Sequence, residues 1–303
     1  MANAPNDLLS EAPDSSKVVG RYAPSPSGDL HFGNLRTALL AWLHARLQAG
    51  QFIVRMEDLD LPRVVAGSAD QILRDLEWLG LDWDGPIVYQ SERVELYQHA
   101  LSSLDAQSLT YPCFCSRKDI QAAASAPHGN TGVYPGTCKS LSASDIIVAA
   151  RQKSPAIRLR AAAAIQSEVG DFVIVRSDQL FAYQLAVTVD DLDQGVTEVI
   201  RGADLVDSTP KQVYLAQLLQ PNRRKIDYLH ATLMLDDQGQ RMSKRDGSVS
   251  AIKWRQGGGS AEQLLAHLAF TAGILGVSKP INIVELIEMV DIHLISSKLS
   301  SIY

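Results

Sequence analysis

The sequence predicts an α/β fold built around a parallel sheet. Three observations carry this. Residues Lys17 to Met56 read as strand, loop, helix and strand. From Phe181 to Leu235, strand-like stretches recur around one helix. Between these runs lies a segment of different character that holds all three cysteines. At 303 residues, 46% of them hydrophobic, the chain is long enough to bury a sizeable core and to divide into more than one unit.

Lys17 to Tyr22 is the first expected strand. Ala23-Pro24-Ser25-Pro26-Ser27-Gly28 follows as a loop, because its prolines lack N–H donors and fix φ. A helix is expected from Asn34, with Leu35, Leu39, Trp42 and Leu43 on one apolar stripe and Gly50 as its C′ residue. Phe52 to Met56 is the second strand, ending at Glu57-Asp58-Leu59-Asp60. A βαβ unit of this kind pairs its strands in parallel through a right-handed crossover. Ligands of such sheets bind beyond the carboxyl ends of the strands. Arg21, the Pro-Ser loop, His31 and Glu57 are therefore expected around one crevice. Small loop residues let a ligand approach the backbone, and a helix N-terminus offers N–H groups to an anion. His31 can donate to a phosphate oxygen, and Gly33 lets an adenine or ribose lie against backbone. The plainer alternative is that His31 caps the helix and Gly33 makes a turn. No G-x-G-x-x-G and no Walker A string occurs, so neither a dinucleotide fingerprint nor a P-loop is supported.

In the middle segment, Tyr111-Pro112-Cys113-Phe114-Cys115 precedes a small-residue stretch and then Tyr134-Pro135-Gly136-Thr137-Cys138. Three thiolates close in sequence suit zinc, which takes four ligands. The fourth would come from Tyr134, His128 or water. The alternative is inert, reduced thiols in a loop, and a disulfide is the least favoured option without an oxidising compartment.

In the second half, Phe181 to Asp191 reads as a strand ending in carboxylates, and Glu198 to Asp204 as a strand running into a turn. Ser208-Thr209-Pro210 opens a helix with proline in its first turn. Tyr228 to Leu235 is strand-like and leads through Asp236-Asp237-Gln238-Gly239 into the basic string Arg241-Met242-Ser243-Lys244-Arg245. Arg201 is a candidate for gripping a carboxylate or phosphate, and Tyr183 for hydrogen-bonding a substrate. Lys244, a point charge on a flexible stem, suits a loop that closes on a polyphosphate. Each has a plainer alternative: a surface ion pair, a core aromatic and a solvated basic turn. After Gly257-Gly258-Gly259, Ser260-Ala261-Glu262-Gln263 matches a capping box, and helices are expected over about Ala261 to Leu275 and Ile281 to Val290.

The bulk properties narrow the function classes. No apolar run approaches the roughly 20 residues that a membrane span needs. Met1 to Lys17 has neither the basic nor the apolar region of a secretory signal and reads as a disordered tail, so a cytoplasmic protein is expected. The net charge of −6 counts against a general nucleic-acid binder and leaves room for a local basic face.

Taken together, the strings resemble a class I aminoacyl-tRNA synthetase of the glutamyl branch. The matching stretches are Arg21 to Gly28, Leu30 to Leu39, Arg55 to Asp60, Phe181 to Asp191, Ile200 to Leu205 and Arg241 to Arg245, which span nearly the whole chain in the family's order. Two departures stand out. Asn34 occupies the last position of the family's HIGH signature, and only Met242-Ser243-Lys244 match within the KMSKS-like loop. The chain stops at Tyr303, without room for the helical region that reads the anticodon, so it is similar to the family's short paralogues.

The resemblance implies a Rossmann-like catalytic sheet of the class I type. Residues 1–17 would be a tail, 18–100 the first catalytic half and 101–178 an inserted subdomain with a zinc site. Residues 179–250 would be the second half with the KMSKS-like loop, and 251–303 a small helical region. It implies one structural Zn²⁺ on Cys113, Cys115, Tyr134 and Cys138, and Mg²⁺ accompanying ATP. It implies a glutamate site of Arg21, Tyr22, Ala23, Pro24, Ser25, Glu57, Tyr183 and Arg201. ATP would meet His31, Gly33, Asn34, Met242, Ser243 and Lys244, with His31 and Lys244 catalytic. The expected partners are ATP, L-glutamate and queuosine-containing tRNA(Asp), handled by a monomer away from membranes. The activity implied is tRNA-independent activation of glutamate and its transfer to queuosine at the wobble position. The competing readings are a truncated-type glutamyl-tRNA synthetase charging the acceptor end and a non-catalytic zinc-containing RNA-binding module.

Overall fold

The computed structural model describes residues 17–116, 118–120, 134–167, 169–234 and 250–301. The strands are β1 (Val19–Tyr22), β2 (Gln51–Met56), β3 (Val88–Tyr89), β4 (Thr110–Cys113), β5 (Ala156–Leu159), β6 (Phe172–Val175), β7 (Glu198–Gly202), β8 (Asp227–Ala231) and β9 (Leu299–Ser301). Helices α1 (Phe32–Leu47), α2 (Ser68–Trp78), α3 (Val94–Ala106), α4 (Ala143–Ala150), α5 (Tyr183–Asp193), α6 (Thr209–Leu219), α7 (Ala251–Gln256) and α8 (Ala261–Thr271) intervene. The chain divides into two compact units.

One unit holds a six-stranded sheet in the order β3-β2-β1-β7-β8-β9. The first five strands are parallel and β9 is antiparallel to β8. The order reverses direction at β1 and β7, the doubly wound arrangement in which ligands bind where neighbouring strands part. Tyr22, Phe52, Val54, Met56 and Ile200 lie in one core cluster with the apolar residues of α1. This helix is buried on nearly all sides, with Phe32, Ala38, Leu40, Ala41 and Ala45 inside as well as the expected stripe. At roughly 25 cal/mol per Å² of apolar surface removed from water, such a helix holds the sheet through packing rather than propensity. Its C-terminal turn departs from expectation. The left-handed residue is Ala49 (φ 52), and Gly50 instead serves close approach: a Cβ there would lie 2.6 Å from Val18 O. The capping box at Ser260 forms as expected and opens α8.

The other unit holds an antiparallel sheet in the order β4-β5-β6, with α3, α5 and α6. Here one expectation is overturned. Phe181 to Asp191 is not a strand; Tyr183–Asp193 is the helix α5, with Leu185 through Leu192 buried. Val187, Thr188 and Val189 have strand propensity, but a helix buried all round shows no alternation to distinguish it, and burial outweighs propensity. Its carboxylates are held in place. Asp190 accepts from Tyr97 Oη at 2.9 Å and pairs with Arg93 Nε at 2.7 Å, while Asp193 pairs with Arg93 Nη2 at 2.5 Å.

Candidate active site and metal centre

In the first unit, parallel pairing brings the expected residues to one end of the sheet. Arg21 lies one residue from the end of β1, Glu57 directly follows β2, and Arg201 lies one residue from the end of β7. Arg21 pairs with Ile53, so Arg55, two residues on, shares its face. Gly20 pairs with Glu198, which puts Arg21 beside Val199 and Arg201 further along that face. Three buried guanidinium groups thus share one face: Arg21 at 4%, Arg55 at 0% and Arg201 at 3% exposure. Cations concentrated out of water favour anionic company, and guanidinium forks fit carboxylates bidentately. Arg201 lies over the Tyr228 ring at 4.9 Å and donates from Nε to His230 Nε2 at 3.3 Å. Burial, reinforced by the Arg201 charge, holds the His230 ring below the ordinary histidine value, so it is kept neutral and able to accept.

The loop between β1 and α1 is fixed by its neighbours. Pro24 O accepts from Glu57 N at 2.9 Å, and Pro26 O accepts from Val65 N at 2.9 Å. Gly28 (φ 117) gives its N–H to Ser68 Oγ and takes that hydroxyl's proton at its own carbonyl. Tyr22 is buried, Ala23 is half-buried and Ser25 is exposed. His31 is the N-cap of α1, with Nδ1 accepting from Asn34 N at 3.3 Å. The capping alternative is thus realised, and it has a chemical consequence: with Nδ1 accepting, the neutral ring carries its proton on Nε2 as a donor. Gly33 makes room for that ring, since a Cβ there would lie 3.0 Å from His31 Cε1 and Nδ1. A bridge joins His31 to Ser250. Met242, Ser243 and Lys244 lie outside the described residues, as does His128. Tyr183 belongs to the second unit, where it is the half-buried first residue of α5.

The second unit gathers the three cysteines at the end of β4. Their sulfurs all lie within 4.8 Å of one another. Tyr134 Oη is 3.3 Å from Cys113 Sγ and 3.5 Å from Cys115 Sγ, and Cys115 and Cys138 sulfurs are 3.5 Å apart. A tetrahedral zinc with ordinary bond lengths would set S···S edges of roughly 3.8 Å and S···O edges of roughly 3.5 Å. Three sulfurs and a phenolic oxygen at these separations fit such an ion. Burial raises the Cys113 thiol, but hydrogen bonds from Tyr134 and Arg158 outweigh it and hold the thiol below its ordinary value. Burial and the neighbouring thiols push Cys115 up to about 11. Sequence reasoning missed Arg158, whose Cζ sits 3.7 Å from the Tyr134 ring centroid, and Asp171, which accepts from Tyr111 Oη at 2.8 Å and from Ala161 N at 2.8 Å. Both come from strands or turns distant from the cysteines in sequence, so no local pattern announces them. The same holds for His230, one strand away from Arg201.

A doubly wound sheet with a basic face at its strand ends defines an α/β protein of the class whose ligands bind beyond those ends. The chain matches the family described as tRNA synthetases class I (E and Q), catalytic domain, over residues 17–302. Glutamyl-Q tRNA(Asp) synthetase of Nocardia farcinica is 49% identical over 268 residues, 84% of this chain and 85% of that protein. The protein of the same name from Symbiobacterium thermophilum is 44% identical over 91% of this chain and 93% of its own length. The chain therefore belongs to the class I tRNA synthetases and, within them, to the glutamyl-Q tRNA(Asp) synthetase family, and it is a ligase. Among solved structures, a glutamate tRNA ligase from Elizabethkingia meningosepticum in complex with its amino acid superposes with a TM-score of 0.75 at 25% identity over 92% of this chain. The glutamate-tRNA synthetase of Elizabethkingia anophelis shares the fold with a TM-score of 0.74. The chain spans about two thirds of both, 65% and 66%. Among the described residues no helix is long and apolar enough to cross a membrane.

Proposed function

We propose that this protein activates glutamate with ATP, without needing tRNA, and transfers it to the queuosine at the wobble position of tRNA(Asp). The observation that carries the reading is the pairing of Arg21 and Arg201 on one buried face at the carboxyl ends of neighbouring parallel strands. A dicarboxylic amino acid offers one carboxylate to each guanidinium. Glu57 takes the ammonium, and Tyr22, Ala23, Pro24 and Ser25 line the same crevice. The names of the relatives support glutamate and queuosine-bearing tRNA(Asp) as the substrates.

The α-carboxylate of glutamate is ionised at neutral pH and attacks the α-phosphorus of ATP, which arrives as its Mg²⁺ complex. A new phosphorus–oxygen bond forms, the bond to the β-phosphate oxygen breaks, and pyrophosphate leaves. No general base is needed, so catalysis is positioning and charge stabilisation. His31 Nε2–H and Lys244 donate to the phosphate oxygens as charge develops. Gly33, Asn34, Met242 and Ser243 line the nucleotide. A hydroxyl of the queuosine cyclopentenediol then attacks the activated carbonyl, and AMP departs.

Cys113, Cys115, Tyr134 and Cys138 would hold a single structural Zn²⁺, which would cross-link the chain segments that carry them. The deciding experiment charges queuosine-containing and queuosine-free tRNA(Asp) with labelled glutamate. Label on queuosine tRNA alone, with glutamate-dependent pyrophosphate exchange in the absence of tRNA, is the expected result. Label on the acceptor end of both tRNAs overturns it.

A further inference from the structure

The thiol cluster sits beside a buried cation that among the described residues has no carboxylate partner. Arg158, on β5, is 7% exposed. Its guanidinium lies over the Tyr134 ring at 3.7 Å. Nη1 donates to the backbone carbonyl of Asp171 at 2.9 Å, and Nε has no hydrogen-bond partner. The Asp171 carboxylate is engaged elsewhere. It accepts from Tyr111 Oη and Ala161 N and pairs with Lys139 Nζ at 3.1 Å. The other nearby guanidinium, Arg160, stacks on Tyr111 at 4.6 Å and donates to Lys139 O at 3.3 Å.

A buried charge is costly unless an opposite charge or strong hydrogen bonds compensate it. Three thiolates around a divalent ion, with a neutral phenol as fourth donor, carry one net negative charge. That centre is itself a buried anion in need of a cation. Resting on the zinc reading above, we propose that Arg158 is the counter-charge of a metal–thiolate centre at Cys113, Cys115 and Cys138, and the positioning residue that holds Tyr134 toward it. The guanidinium plane fixes the ring from one side while β5 pairing with β4 fixes the guanidinium. Arg158↔Tyr111 register places it two residues from Cys113 along the ladder. Outer partners of this kind orient ligands and tune metal affinity.

The test uses the full chain in three forms: wild type, Arg158→Gln and Arg158→Lys. Glutamine keeps a planar polar head and loses the charge; lysine keeps the charge and loses the plane. Zn²⁺ affinity is read by competition with a chromogenic chelator, after far-UV circular dichroism shows that each form is folded. Arg158→Gln should weaken Zn²⁺ binding by about 10–100-fold, and Arg158→Lys should recover most of that loss. The Co²⁺-loaded forms give a readout that packing alone does not move. Removing a positive charge beside the sulfurs raises their electrons in energy, so the thiolate-to-cobalt band shifts to longer wavelength in Arg158→Gln. Unchanged affinity in Arg158→Gln, or no recovery in Arg158→Lys, overturns the counter-charge. Wild-type chain that takes up no Zn²⁺ overturns the metal reading itself, and that result is visible before any variant is compared.

Discussion

Arg201 donates its Nε–H to Nε2 of His230 across the β7–β8 ladder at 3.3 Å, with both side chains buried. One edge of the guanidinium is thereby held by protein, which fixes the plane in which the group lies. If Arg201 holds a glutamate carboxylate, His230 is its rudder. His230→Leu should raise the KM for glutamate by about tenfold, the size of one charged hydrogen bond misaligned, and leave the KM for ATP unchanged in pyrophosphate exchange. His230→Gln, which restores an acceptor, should recover much of it. Equal changes in both KM values would place Arg201 on the nucleotide instead.

Lys244→Ala should slow glutamate-dependent pyrophosphate exchange by about 10²–10³-fold, the usual loss for one charge-stabilising donor, with an unaltered circular dichroism spectrum. Exchange at the wild-type rate would remove Lys244 from the chemistry.

Acid should destabilise the fold through His267, which packs against Phe32 and Trp254. Burial lowers its value in the folded chain from the ordinary 6.5. A depressed folded value means that the neutral ring's contribution is complete above pH 6.5 and is lost as pH falls through the folded value. Denaturant midpoints between pH 7 and pH 5 should therefore fall more steeply in wild type than in His267→Phe. The difference in slope is at most about 1.4 kcal/mol per pH unit for one proton. Parallel profiles would show that His267 takes no part.

Asp75 is 1% exposed and pairs with Arg255. Desolvation raises the Asp75 carboxyl above its ordinary value, with Gln71 and Arg255 opposing. Arg255→Met should cost about 2–3 kcal/mol in urea unfolding, because it leaves a buried carboxylate without its cation. Asp75→Asn in the same chain should return part of that loss. Additive losses in the double variant would show that the two residues do not interact.

Much of the sheet was legible because its signals are local. The prolines of Ala23 to Gly28 force a loop, Ser260 and Gln263 write a capping box, and Cys113 with Cys115 sets two sulfurs on one side of a turn. Where burial is complete the signal vanishes. Leu185 to Leu192 is buried throughout, its threonine and two aspartates included, so neither period stands out, and the β-branched residues favour a strand. Gly50 drew the helix end to itself although Ala49 takes the left-handed turn, because a glycine demanded by a neighbouring strand looks the same in sequence as one demanded by φ. His230 and Arg158 escaped for a third reason. Their meaning arises only from ladder pairing with residues far along the chain.

The seam between β1 and β7 has a consequence for how such a chain can vary. Val19 N bonds to Thr197 Oγ1 across 178 positions, with the Arg93–Gln194 part of the second unit strung between the two strands. Chain-closure entropy rises only with the logarithm of length, about 0.6 kcal/mol for each doubling. The intervening segment can therefore lengthen, shrink or exchange its contents while the two halves of the sheet still meet on the same terms. A fold joined in this way can acquire a new acceptor without rebuilding the crevice in which its acid is activated.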